Sequence, residues 1–122
     1  MWNKKTFVAA LLVFSVAGSL QAADAPKYDM SKFKVIVEDT AKLVKSGDYA
    51  AAQKKIMDLE GLWDEGTKEL KAADRKVWTV IDKQMDASIE AVKGAKDAAS
   101  AEKAEKSLAE FLAKLSLAEA VK

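Results

Sequence analysis

The sequence predicts an all-α protein: an up-down-up-down antiparallel four-helix bundle that follows a cleaved signal peptide. Three observations predict this fold. From Ser31 onward the chain is rich in alanine, lysine, glutamate, aspartate and leucine, a composition that favours helices. Apolar residues recur at alternating spacings of three and four, which is the period of an α-helix. The only proline of the 122-residue chain, Pro26, precedes this region.

The N-terminus has the three-part pattern of a secretory signal. Two lysines precede an apolar run of about 11 residues that ends near Ala17, and small residues follow it. We expect cleavage between Ala22 and Ala23, so that residues 1–22 are the signal peptide. The run is shorter than the ~20 residues that span a bilayer, and no cysteine follows it, so no stable membrane or lipid anchor is expected. The predicted location is the periplasm, or the medium if the organism lacks an outer membrane.

Removal of the signal peptide changes the charge of the chain. The 20 basic and 19 acidic residues give a net charge of +1, and loss of two lysines lowers it to −1. A chain this balanced has no strong field to attract nucleic acid or an anionic membrane, so no nucleic-acid partner is expected. About 100 residues remain, which suffice for one domain with a modest core.

The mature chain is expected to begin with a flexible segment over residues 23–30. The first predicted helix spans about 31–46, with Ser31 as the residue whose side chain accepts hydrogen bonds from the first turn. Gly47 suits the left-handed residue that ends a helix. The other three predicted helices begin at similar capping residues: about 48–71 with Asp48, about 74–93 with Asp74, and about 98–120 with Asp97 or Ser100.

Each predicted helix has one apolar stripe. Because helices joined by short connections pack antiparallel, the four stripes are expected to share one core. Helix by helix, the predicted core residues are Phe33, Ile36 or Val37, Thr40 and Leu43 or Val44; Tyr49, Ala52, Ile56, Leu59, Trp63, Gly66 and Leu70; Trp78, Ile81, Met85, Ser88 or Ile89 and Val92; Ala101, Ala104, Leu108, Phe111, Leu115 and Ala118.

A glycine on the second stripe makes room for a large side chain. If the second and third helices fold back on each other at residues 72–73, Trp78 lies opposite Gly66 and Thr67. We therefore predict that the Trp78 ring fills the space above Gly66. Trp63, Gly66, Trp78 and Met85 are the predicted structural core of this helix pair.

The residue types restrict the available chemistry. The chain has no histidine and no cysteine, which removes the commonest general base, the commonest nucleophilic dyads and the usual ligands of zinc, copper and haem. Ser/Lys or paired-carboxylate catalysis stays open, but a narrow bundle offers no cleft that would desolvate such groups. We therefore expect no catalytic residues, no enzymatic activity and no cofactor.

Two pairs of carboxylates are the candidate metal site. Glu60 and Asp64 are four residues apart on the second helix, and Asp82 and Asp86 are four apart on the third, so each pair shares a helical face. In the antiparallel register the two pairs come level with each other. Up to four carboxylates could then converge in one groove, an arrangement that suits a hard cation such as Ca²⁺ or iron. The alternative is that all four point into solvent.

The segment from Trp78 to Asp86 resembles small, uncharacterised helical proteins that proteobacteria export to the periplasm. Some of these are similar to the extracytoplasmic helical region of iron-permease-type proteins. The stretch Glu60-Gly61-Leu62 resembles part of that family's Arg-Glu-Gly-Leu-Glu signature, with Leu59 and Trp63 in place of the arginine and the final acid. The resemblance implies an exported helical domain and, through the iron permeases, a link to metal uptake.

Two classes of function follow from these observations. The first is a non-catalytic periplasmic binding or interaction protein whose partner is another periplasmic protein. The second is a metal-ion-binding accessory of an uptake system, for iron or calcium, that uses the four carboxylates.

Overall fold

The computed structural model describes residues 25–122. Within this range the chain is all-helical, as predicted, and contains no strand. The expected signal peptide, residues 1–22, and its cleavage site between Ala22 and Ala23 lie outside the described residues. The helices are α1 (Ser31–Lys45), α2 (Tyr49–Gly66), α3 (Lys68–Ala73), α4 (Arg75–Lys93) and α5 (Ala98–Glu119).

The predicted helix over residues 48–71 is two helices in the structure, because α2 ends one residue before Thr67. Thr67 leaves the helical region with φ −124° and ψ 23°, and it is 2% exposed. Its hydroxyl donates to the carbonyl of Trp63 at 2.5 Å and accepts from the indole of Trp78 at 2.9 Å. These two bonds hold Thr67 in place, and Gly66 before it is a weak helix former, so the chain turns here.

Three of the four predicted helices begin at the capping residue that the sequence predicts. Side chains of Asp48, Asp74 and Asp97 accept from the first turns of α2, α4 and α5, as predicted. Ser100 completes a capping box with Asp97, so both candidates for the last helix take part. The prediction for Ser31 was wrong. Its hydroxyl and its N–H both donate to Asp29 Oδ1, at 2.6 and 2.9 Å, and Ser31 is already the first residue of α1.

The connection from α1 to α2 contains the one backbone position that requires glycine. Gly47 has a φ of +85°, in the left-handed region where a β-carbon is strained. The N–H of Gly47 donates to the Val44 carbonyl at 3.1 Å, and the N–H of Asp48 donates to Leu43 at 2.9 Å. The last carbonyls of α1 are thereby satisfied before α2 starts.

The four long helices enclose one apolar core. Helix α1 packs on α2 and α5, α4 packs on the same two helices, and the short α3 packs mainly on α4. All six residues of the predicted α5 stripe are buried, and at the predicted alternatives in α1 the structure buries Val37 and Val44. Most of the apolar stripe predicted for each long helix is therefore buried, but Tyr49 and Trp78 are half-buried and Gly66 is exposed.

The segment before α1, which was predicted to be flexible, lies against the bundle in its second half. Met30 is 3% exposed, and Tyr28 is half-buried against the core. The N–H of Met30 donates to Glu119 Oε2 at 3.0 Å, and the ammonium of Lys34 lies 2.6 Å from Glu119 Oε1. Glu119 thus joins the start of α1 to the end of α5.

Candidate functional site

The predicted carboxylates lie along the groove between α2 and α4, and only one of them turns inward. Asp82 is half-buried, and its Oδ1 accepts a hydrogen bond from Trp63 Nε1 at 3.1 Å. Glu60, Asp64 and Asp86 are exposed. Among residues 25–122 no three or more acidic side chains form a group that could hold a metal ion. The structure therefore does not gather the four carboxylates into one group, since Asp82 is engaged by the indole and the other three are exposed, and metal binding stays a hypothesis.

Asp82 is nevertheless in an unusual environment. Burial raises the pKa of its carboxyl group above the ordinary value, and the negative charge of Asp86 raises it further. The hydrogen bond from Trp63 acts in the opposite direction, Asp64 again raises the pKa, and Lys71 lowers it. Burial and the two neighbouring acids together outweigh the two groups that stabilise the charge. The fold therefore disfavours the charged form of Asp82 relative to its protonated form.

An aromatic cluster forms the inner wall next to Asp82. The Trp63 ring is fully buried, with Phe33 against it edge to face at 5.5 Å and Trp78 stacked on it at 6.0 Å between centroids. The ammonium of Lys71 lies 4.3 Å from the centroid of the half-buried Trp78 ring. Aromatic pairs in these arrangements each contribute about 1 kcal/mol beyond the area that they bury. The cluster is thus a major stabilising element at this end of the bundle.

The space above Gly66 is filled by a different ring from the one predicted. A β-carbon added at Gly66 would lie 3.2 Å from Phe33 Cζ, and no atom of Trp78 would come within 4 Å of it. Trp78 does lie opposite Thr67, as predicted, and donates to its hydroxyl. The prediction for Gly66 was wrong because it considered only the neighbouring helix α4 and left out α1, which carries Phe33. Gly66 is itself accessible to solvent, whereas Trp63 and Met85 are buried.

A polar cluster that the sequence analysis missed joins α4 to α5. Gln84 Nε2 donates to the carbonyl and the hydroxyl of Ser107, both at 3.2 Å, and Lys114 Nζ donates to Gln84 Oε1 at 3.0 Å. The hydroxyls of Ser88 and Ser107 lie 2.9 Å apart. The signal in the sequence is the spacing of four between Gln84 and Ser88, which puts both on the buried side of α4. A polar residue there needs a partner from another helix.

The serines of this cluster lack the arrangement of a nucleophile. The Ser88 hydroxyl lies within hydrogen-bond distance of the Ser107 carbonyl and hydroxyl, and the Lys114 ammonium reaches Gln84 instead of either serine. All buried side-chain nitrogen and oxygen atoms in the described part of the chain have a hydrogen-bond partner. The cluster therefore fixes the register of α4 on α5.

A shallow depression of about 670 Å³ lies beside the start of α2. Its lining includes Ala50, Met57, Lys54 and Lys93. The Gln53 side chain donates to the carbonyl of Lys93 at 3.3 Å, which places the end of α4 level with the start of α2. Met57 is 43% exposed here, in contrast with the buried Met85.

No protein-family model, curated protein or solved structure matches this chain. In the range from residue 25 to 122, the helices are too short or too polar to cross a membrane.

Proposed function

We propose that this chain is an exported, non-catalytic helical protein that binds another periplasmic protein through its surface. In this proposal its four long helices form an up-down-up-down antiparallel bundle, and α3 is a short turn of helix between the second and third. The contacts of each long helix with two others and the short connections support this topology.

Two exposed apolar side chains on neighbouring helices carry the proposal. Val80 on α4 is 41% exposed and Leu117 on α5 is 45% exposed. Ser88 contacts Ser107, and Gln84, one turn earlier in α4, contacts both Ser107 and Lys114, which is further along α5. Val80 lies one more turn earlier in α4, so this register brings it towards the part of α5 that carries Leu117. Large apolar side chains that lie together on a surface are typical of protein interaction sites.

The interior supports a surface role. The Gln84 cluster, the Thr67 hydroxyl and the Trp63 indole are all hydrogen-bonded within the protein. Inside the described region, no buried polar side chain is left to orient a bound molecule. The groups that remain partly exposed lie on the outside, and they include the two apolar side chains on α4 and α5.

Site-specific photo-crosslinking in the periplasm tests the proposal. A crosslinking amino acid replaces Leu117 in one variant and Glu110, an exposed residue two turns earlier in α5, in a matched control. We expect an adduct of one defined mass with another protein at position 117 and none at position 110. Equal yields at the two positions, or an adduct at 117 only with a second copy of the chain, would contradict the proposal.

The export step is tested by sequencing the N-terminus of the chain recovered from the periplasm. Cleavage by signal peptidase predicts that the mature protein begins at Ala23. Recovery of the chain from the cytoplasm with its N-terminal residues intact would contradict export.

A further inference from the structure

The outward face of α2 carries four residues whose spacing is the same when the helix is read in either direction. Lys54, Met57, Gly61 and Asp64 follow each other at spacings of three, four and three, so all four lie on one side of the helix. All four are exposed. When the direction of the helix is reversed, Lys54 takes the place of Asp64 and Met57 takes the place of Gly61.

Each half of this pattern complements the other half. Met57 projects from the surface with 43% of its area exposed, whereas a β-carbon added at Gly61 would meet no atom within 4 Å. Lys54 is cationic and Asp64 is anionic, and within residues 25–122 neither forms an ion pair shorter than 4 Å. When two such faces meet with their helices antiparallel, the protruding Met57 lies opposite the open space at Gly61. The cation Lys54 then lies opposite the anion Asp64.

We propose that two copies of this chain form a twofold-symmetric dimer in which the α2 helices pack antiparallel. Met57 of each copy then enters the gap over Gly61 of the partner subunit, and Lys54 of each copy pairs with Asp64 of the partner subunit. A twofold axis brings the same patch of both subunits together, so the patch has to complement itself. The missing side chain at Gly61 lets the helix axes approach to about 8 Å, the lower end of the usual range.

The neighbouring helix α4 also has a lysine beside the start of α2 and an aspartate beside its end. Lys93 lies level with the start of α2, since its carbonyl accepts from Gln53, and Asp82 lies level with the end of α2, since it accepts from Trp63. The twofold axis that pairs Lys54 with Asp64 therefore also brings Lys93 towards Asp82 of the partner subunit. Both α2 and α4 thus contribute attraction between a lysine of one copy and an aspartate of the other.

Other charges near this face weaken the association. Asp58 and Glu60 flank the pattern on α2, one on each side, and come near their own copies in the dimer. Lys83 and Glu90 lie on the exposed side of α4 beside Asp86. Because the contact is small and these acids repel, we expect a dissociation constant on the order of 10 µM.

Sedimentation equilibrium of the purified chain, from about 5 to about 500 µM, measures this association. Lys54→Asp turns both attractions into repulsions between carboxylates, and Asp64→Lys turns them into repulsions between ammonium groups. We expect each variant to weaken dimerisation about tenfold. Mixing the two variants puts a lysine opposite an acid at both contacts, so the mixture should dimerise about as well as the unmodified chain.

Two further variants separate this contact from general effects. Gly61→Leu fills the gap on an exposed helical position, so it should abolish the dimer without lowering the melting temperature. Lys106→Asp makes the same charge change on the exposed side of α5 and should leave the dimer unchanged. A monomer at all concentrations would overturn the proposal, as would a dimer that is insensitive to Gly61→Leu or not restored by mixing. These results do not depend on the crosslinks at Leu117, so the two proposals fail separately.

Discussion

The indole nitrogen of Trp63 donates a hydrogen bond to Asp82 Oδ1 at 3.1 Å. The ring of Trp63 is fully buried, and the indole N–H is its only polar side-chain group. Asp82 therefore completes the packing of the largest buried side chain in the described part of the molecule. The same bond engages Asp82 at the core, whereas Glu60, Asp64 and Asp86 are exposed.

Replacing Asp82 with asparagine and with alanine separates its two effects. Asp82→Asn keeps an oxygen that accepts from Trp63 and removes the charge that burial and Asp86 disfavour, so we expect a melting temperature at pH 7 equal to or up to about 4 °C above that of the unmodified chain. Asp82→Ala leaves the indole N–H unpaired and should cost about 1–3 kcal/mol. Thermal unfolding followed by circular dichroism measures both, and equal destabilisation by the two variants would contradict this account.

The raised pKa of Asp82 also predicts a pH dependence. Protonated Asp82 favours the folded state, so its contribution is complete below the unfolded-state pKa of 3.8 and is lost as the pH rises through the higher folded-state pKa. The difference in melting temperature between Asp82→Asn and the unmodified chain should therefore shrink as the pH falls through the folded-state pKa, and it should be smallest below 3.8. A difference that grows towards acid pH would show that the folded state favours the charged form.

The two hydrogen bonds of the Thr67 hydroxyl are expected to stabilise the folded state. Thr67→Val keeps the shape of the side chain but removes the acceptor of the Trp78 indole and the donor to the Trp63 carbonyl. We expect a loss of about 1–2 kcal/mol in denaturant unfolding, with a change in tryptophan fluorescence. Thr67→Ser keeps the hydroxyl and should retain most of the stability. If valine and serine behaved alike, the hydroxyl would have no such role.

The two glycines of α2 are predicted to respond differently to alanine. Gly61→Ala meets open space and should stabilise the helix by about 0.5–1 kcal/mol. Gly66→Ala brings a β-carbon to 3.2 Å from Phe33 Cζ, and Phe33 is confined by its contact with Trp63. That variant should gain nothing or lose stability. Equal gains at the two positions in thermal unfolding would show that the Phe33 ring moves aside freely.

Calorimetric titration with Ca²⁺, Mn²⁺ and Fe³⁺ tests the metal hypothesis for Glu60, Asp64, Asp82 and Asp86. Three of these carboxylates are exposed and the fourth is engaged by Trp63, so we expect no heat beyond dilution and no thermal shift. Saturable binding that is lost in Asp64→Asn or Asp86→Asn would overturn this expectation.

Local signals in the sequence account for most of the fold. The spacing of apolar residues in α5 predicted all six of its buried positions, and the aspartates before α2, α4 and α5 predicted three helix starts. These features depend on neighbours within one or two turns, which the sequence displays directly. The opposition of Thr67 and Trp78 also follows, because a tight connection fixes the register of adjacent helices.

Contacts between elements distant in sequence were not predictable in this way. Phe33 covers Gly66 from another helix, and Gln84 bonds to Ser107 and Lys114 on α5. A helical period shows that a residue is buried but does not show which residue it meets. The break at Thr67 was missed for the same reason, since the Trp78 indole that helps to hold its hydroxyl comes from α4.

The most direct measurement of the proposed function is the yield of the crosslinked adduct when the apolar pair on α4 and α5 is removed. The crosslinking residue is placed at Ala113, an exposed position one turn before Leu117, in the unmodified background and in the Val80→Asn, Leu117→Asn background. We predict that the double variant loses the adduct while its melting temperature changes by less than about 3 °C. An unchanged adduct yield in a folded double variant would contradict binding through this surface.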